Sequence, residues 1–84
     1  MRELVLLTEP DCHLCGHGRS VLDGLAAEGL LSWREVRGGD DEGMRLSALA
    51  PPLRPVLFDR DGVVVAYGRL SEKRLRKRLA RAVA

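Results

Sequence analysis

One short apolar segment near the start of the chain restricts the possible folds most. Residues Leu4–Leu7 are apolar without interruption and lie between Glu3 and Pro10. A strand with one solvated face alternates apolar and polar residues, whereas a continuous apolar run is typical of a strand buried on both faces. We therefore expect this segment to be a central strand of a sheet that has helices packed against it.

From His13 onward, the hydrophobic period becomes that of a helix. The apolar residues that recur along one helical face are Leu14, Val21, Leu22 and Leu25. Cys15 falls near the same face, and Glu28 followed by Gly29 marks the end of the helix. Glycines lower helix stability, so we expect those inside this helix to serve close packing against the sheet or an irregular first turn. They are Gly16, Gly18 and Gly24.

The middle of the chain predicts a second strand and a second helix. Leu30–Val36 is rich in strand-forming residues but alternates poorly, which favours an edge position. An acidic loop follows, with an Asp at the helix cap and Glu42 in the first turn, and Pro51 ends the helix. Its expected apolar face consists of Met44, Ala48 and Leu49.

The last third of the chain predicts a hairpin and a third helix. Two β-rich runs, Pro55–Phe58 and Val63–Tyr67, flank an Asp-Gly turn, which is typical of an antiparallel hairpin. Gly68 ends the second run, and Ser71 caps the helix. The expected buried stripe of that helix is Leu75, Leu79 and Val83.

The predicted order is therefore β-α-β-α-β-β-α, an α/β chain with a four-stranded mixed sheet flanked by helices. A helix joins the first two strands, so these should be parallel. With 84 residues the chain is expected to form a single domain over residues 1–84.

Charge and hydropathy narrow the classes of function. The net charge of +2 does not indicate a nucleic-acid-binding protein, and no aromatic residues alternate with the basic ones of the last helix. No segment approaches the roughly 20 apolar residues of a membrane span. The first apolar run is too short for a secretory signal, so we expect a cytoplasmic protein. In that compartment a close cysteine pair is more often catalytic or metal-binding than structural.

Both cysteines and both histidines of the protein lie in residues 9–17, where the first strand ends and the first helix begins. Cys12 and Cys15 have the spacing of a redox-active pair at a strand-to-helix junction. The same spacing is also that of half a zinc site. A structural zinc site usually takes its ligands from two separate segments, and the rest of the chain has neither Cys nor His. This favours the redox interpretation and no bound metal.

Some groups around Cys12 stabilise its thiolate, and others destabilise it. The helix N-terminus favours the thiolate, and so would His13 if it were charged. Asp11 and Glu9 oppose the thiolate through like charge. We therefore expect a mid-range or reducing couple, with Asp11 and His13 as modulating residues and His17 as a solvated helix residue.

Three features carry a resemblance to a known family. They are Cys12-His13-Leu14-Cys15 after the first strand, Pro55 before the third strand, and a hairpin followed by Gly68 and a helix. With these features the chain resembles the glutaredoxin-like family of the thioredoxin-fold superfamily, and is most similar to its short Cys-His-Leu-Cys type. The resemblance implies a thioredoxin-like fold and a small thiol–disulfide oxidoreductase.

The resemblance also implies roles for individual residues. Cys12 would be the nucleophile and Cys15 the resolving thiol. Pro55 would be a cis-proline facing the cysteines, with the backbone of Arg54 pairing to the substrate. Gly68 takes the place of the paired glycines that often follow the last strand in the family. Beside these, Arg69 is positioned to reach a substrate carboxylate.

The expected substrate is a disulfide-containing protein or a low-molecular-weight thiol, handled without a metal or organic cofactor by a monomer. Glutaredoxins usually have Lys where this chain has Glu9, so the electron donor is left open between glutathione and a reductase. Neither a nucleic acid nor a membrane is expected as a partner. The alternative is a thioredoxin-fold module that binds a soft metal ion or a protein partner without redox catalysis.

Overall fold

A computed structural model describes the backbone of residues 2–83 and the side chains of residues 2–80. Met1 and Ala84 of the predicted domain, and the side chain of Val83, lie outside the described residues. The described part is an α/β structure with the predicted order of elements. Their bounds are β1 (Arg2–Thr8), α1 (His13–Ala27), β2 (Leu31–Arg37), α2 (Asp41–Ser47), β3 (Val56–Asp59), β4 (Val64–Tyr67) and α3 (Glu72–Val83).

The strands form one mixed, open sheet in the order β2-β1-β3-β4. β1 is parallel to β2 and antiparallel to β3, and β3 is antiparallel to β4. The central position predicted for β1 and the edge position predicted for β2 are both confirmed. β4 forms the other edge.

The continuous apolar run of β1 is explained by two core clusters. Leu4 and Leu6 pack in one cluster with α1 and α3, which contribute Val21, Leu22, Leu25, Leu75 and Leu79. Leu7 packs in a second cluster with residues of β2 and β3, against which Leu46 of α2 is packed. Both faces of β1 are therefore covered, and successive residues of the strand serve different clusters.

The apolar face predicted for α2 is wrong. Met44 and Leu49 are 57% and 63% exposed, and Ala48 is exposed as well. The buried residue of this helix is Gly43, where an added Cβ would overlap the carbonyl oxygen of Arg37. The helix therefore approaches the sheet through Gly43 and Leu46, and Met44 turns towards solvent.

The first turn of α1 also differs from its expected pattern. Leu14 is 36% exposed, and the buried face there is formed by Cys15 and Gly18. An added Cβ at Gly18 would lie 3.5 Å from Cγ of Pro55 and 3.2 Å from Cδ1 of Leu70. Close packing is thus confirmed for Gly18, whereas nothing lies within 4 Å of the same position at Gly24.

Candidate functional site

The cysteine pair lies at the N-terminus of α1, directly after the central strand. Cys12 is the N-cap residue and has an extended backbone. Its Sγ accepts a hydrogen bond from the backbone N–H of Cys15 at 3.1 Å. A sulfur therefore occupies the place of the oxygen that normally satisfies a free amide at a helix start. The same amide and the helix dipole are available to stabilise negative charge on that sulfur.

Cys12 and Cys15 are joined by a disulfide, with their Cα atoms 5.2 Å apart. Cys15 is completely buried, and Cys12 is partly exposed. The two sulfurs are therefore not equivalent, because an external thiolate or disulfide can approach Cys12 and is kept away from Cys15. This asymmetry is what thiol–disulfide exchange with a defined attacking sulfur requires.

The turn before Cys12 depends on Asp11. Its φ of 59° is the only positive value of a non-glycine residue in the described part of the chain. Asp tolerates this left-handed conformation better than most residues, because its short side chain bonds locally. The turn reverses the chain between β1 and α1, and the Asp11 carboxylate stays exposed beside the N-cap.

A cleft of about 500 Å³ lies beside the disulfide. One wall is the segment from Thr8 to His13, which includes Cys12, and the other consists of Arg19, Glu35 and Arg37. The structure thus brings Asp11, Cys12 and His13 together around one opening.

The wall of this cleft contains a hydrogen-bond network that the sequence did not reveal. The hydroxyl of Thr8, a side chain with only 1% exposure, donates to Oε2 of Glu35 at 2.6 Å. Arg19 donates from Nε and Nη2 to the two oxygens of the same carboxylate, at 2.9 and 2.8 Å. The bonds from Arg19, and then the one from Thr8, lower the pKa of Glu35 to about 2. The only signal in the sequence was a polar residue at the end of an apolar strand.

Glu9 and Arg54 form an ion pair across the site, with Nε and Oε1 3.3 Å apart. Arg54 also donates to Ser47 Oγ at 3.1 Å, and to the carbonyl oxygens of Pro51 and Leu53. The negative charge of Glu9 is thereby partly offset. Among the described residues Asp11 has no such ion-pair partner.

Pro55 lies in the core, close to α1. The Arg54–Pro55 peptide bond is cis, as the resemblance implied. The ring is fully buried and packs near Gly18, one turn beyond Cys15 on α1. The Pro55 carbonyl accepts a hydrogen bond from the Gly68 N–H at 2.8 Å. Pro55 and Gly68 are thus brought together, whereas Arg69 lines a different cleft, formed with α3.

His17 is not a solvated residue, and that expectation is wrong. It is half-buried, and its Nε2 lies 3.0 Å from the carbonyl oxygen of Leu70. A carbonyl only accepts, so this nitrogen carries the proton and donates. His13, in the first turn of the same helix, is exposed. Across the part of the chain described, no three His, Cys, Asp or Glu residues are grouped so that they could hold a metal ion.

No family model matches the chain, and no curated protein is significantly similar to it. Within residues 2–83, none of the helices combines the length and the apolar character that crossing a membrane would require. Any function proposed for the chain therefore rests on the geometry of this site.

Proposed function

We propose that this protein is a small, glutaredoxin-like thiol–disulfide oxidoreductase with a thioredoxin-like fold. One observation carries the proposal: a disulfide at a helix N-terminus in which Cys12 is accessible and Cys15 is buried. The cis Arg54–Pro55 bond, with the Pro55 ring near Gly18 one turn beyond Cys15, and the strand order β2-β1-β3-β4 also support it. The lack of a grouped set of metal ligands among the described residues leaves no observation that favours a metal-binding module.

In the reduced protein, the Cys12 thiolate attacks one sulfur of a substrate disulfide. A mixed disulfide forms with that sulfur, and the other half of the substrate leaves as a thiolate. The Cys15 thiolate then attacks Sγ of Cys12, which releases the second half of the substrate as a thiolate and forms the Cys12–Cys15 disulfide; both released thiolates take up protons from solvent. Two electrons pass from the dithiol to the substrate, and a low-molecular-weight thiol or a reductase returns them.

Groups around the cysteine pair would assist the steps of this cycle. The free amides at the start of α1 stabilise the Cys12 thiolate, and burial keeps Cys15 away from external oxidants. The backbone of Arg54 would pair with a substrate chain bound at Cys12. The Glu9–Arg54 ion pair stands where glutaredoxins have a lysine for glutathione, so we propose a disulfide-containing protein in preference to glutathione as the substrate.

The proposal is tested with the fully reduced protein and a chromogenic aryl disulfide in a single turnover. The native protein should reduce one disulfide per chain and end with Cys12 and Cys15 bonded to each other. Cys12→Ser should abolish the reaction, and Cys15→Ser should accumulate the mixed disulfide, visible as a mass increase of one half of the reagent. Full activity of the Cys12→Ser protein would disprove the mechanism.

A control variant shows whether a substitution in α1 lowers turnover by itself, without removing a cysteine. Asp23→Asn alters an exposed residue of the same helix and should leave the turnover unchanged. If the Cys15→Ser protein releases its substrate as fast as the native protein does, then Cys15 has no resolving role.

A further inference from the structure

A second cleft, of about 520 Å³, lies between the edge strand β4 and helix α3. Its charged lining residues are Arg69, Arg74, Lys77 and Arg78, all exposed. Among the side chains of residues 2–80, no acidic one lines it. We call this site the cationic cleft.

The four basic residues are not neutralised by the rest of the described structure. Arg76, on the same helix, pairs with both Glu28 and Glu72 and lies outside the cleft. No such ion pair involves the four lining residues among residues 2–80. Glu28 and Glu72 thus neutralise Arg76 on one side of the helix. The four basic side chains of the cleft lie on the side that faces β4.

The remaining lining of the cleft indicates which anion fits. Val65 and Ala66 of β4 provide aliphatic surface between the basic residues. Tyr67, 54% exposed, is the one aromatic residue in the described lining. Single-stranded nucleic acids bind through successive aromatic stacking platforms along a basic groove, and one tyrosine does not provide them. Carboxylates spaced by small apolar side chains match both the charge and the aliphatic surface.

We propose that the cationic cleft binds an acidic segment of a partner protein. Glu or Asp side chains of that segment bind Arg69, Arg74, Lys77 and Arg78, while its apolar side chains contact Val65 and Ala66. Charge-assisted hydrogen bonds from guanidinium groups give this contact its strength. The site is separate from the cleft beside Cys12, so binding does not depend on disulfide exchange.

The test uses a fluorescent peptide of repeated Glu-Val dipeptides, which contains no sulfur, with the oxidised protein at about 0.15 M salt. Saturable binding by anisotropy is expected. The double variant Arg74→Glu/Lys77→Glu should bind about tenfold more weakly or worse, because two charge-assisted contacts are lost. The variant Arg45→Glu/Lys73→Glu is the control, since it changes the net charge equally at exposed residues outside the cleft.

Circular dichroism checks that each variant is folded, and Arg74→Gln/Lys77→Gln provides a milder change that should also weaken binding. Equal weakening in the control would overturn the proposal, because net charge alone would then explain binding. Absence of saturable binding would overturn it as well. So would tighter binding of a charge-matched oligouridylate that is lost in the cleft variant, because the cleft would then bind nucleic acid.

Discussion

Glu35 connects three elements through one carboxylate. It lies in β2, accepts hydrogen bonds from Arg19 of α1, and accepts another from Thr8 at the end of β1. The side chain of Glu35 is 26% exposed, so solvent screens these bonds less than on an open surface. Because Thr8 immediately precedes the cysteine segment, the network fixes the point from which the Cys12 turn starts.

Replacing Glu35 with Gln should lower the free energy of unfolding by about 1–3 kcal/mol, because the buried Thr8 hydroxyl and the Arg19 guanidinium lose a charged acceptor. Urea unfolding at neutral pH measures the effect. Glu42→Gln is the matched control, since Glu42 also pairs with an arginine, Arg34, but both side chains are more exposed. Its expected effect is within about 0.5 kcal/mol. Equal losses in the two variants would contradict the role given to burial.

The place of a residue could be predicted where it is determined by its neighbours in the sequence. The positions of Cys12 and Cys15 follow from a strand end, a helix start and a spacing of three. The partners of Glu35 and His17 do not, because Arg19 is 16 residues from Glu35 and Leu70 is 53 residues from His17. Only the packed fold brings such groups into contact.

At the scale of elements, two helical glycines have opposite roles. Gly24 lies in the interior of α1, with open space where a side chain would be, whereas Gly43 of α2 lies against the backbone of Arg37. Gly24→Ala should raise the free energy of unfolding by about 0.5–1 kcal/mol by favouring the helix. Gly43→Ala should lower it by about 1–3 kcal/mol through overlap with backbone atoms. Thermal and urea unfolding of both variants measure this, and a gain in stability from Gly43→Ala would contradict the packing.

The order of elements could be predicted because most of them are marked twice, by hydrophobic period and by breakers such as Pro10, Gly29 and Pro51. Which face of α2 packs against the sheet could not be predicted. A helix of seven residues completes barely two turns, so its period is weak. Which side packs is decided by the close approach of the sheet at Gly43, and this distance has no signature in the sequence.

In the whole molecule, ion pairs join successive parts of the chain around a small core. Arg19–Glu35 links α1 to β2, and Arg34–Glu42 links β2 to α2. Arg76 of α3 pairs with Glu28 at the end of α1. The arginines lower the pKa values of all three carboxyls. A carboxyl with a lowered pKa in the folded state stabilises that state only while it is ionised, so these links predict acid sensitivity.

The contribution of Glu35 to the pH dependence of the unfolding free energy can be measured separately. Its pKa is about 2 in the folded protein and about 4.3 in an unfolded chain. Between these values the unfolded state binds more protons, so stability falls as the pH falls. The difference in unfolding free energy between the native protein and Glu35→Gln should therefore be constant above about pH 5.5 and mostly lost by about pH 2.

Fluorescence of the single Trp33, half-buried with its indole N–H 3.2 Å from Asp23, follows urea unfolding at each pH. Glu42→Gln is again the control, because the exposed pair with Arg34 is screened by solvent and its difference from the native protein should stay small throughout. A Glu35→Gln difference that does not change between about pH 5 and pH 2 would show that the carboxylate is not held ionised by Arg19 and Thr8. The cleft wall beside Cys12 would then be organised by packing alone.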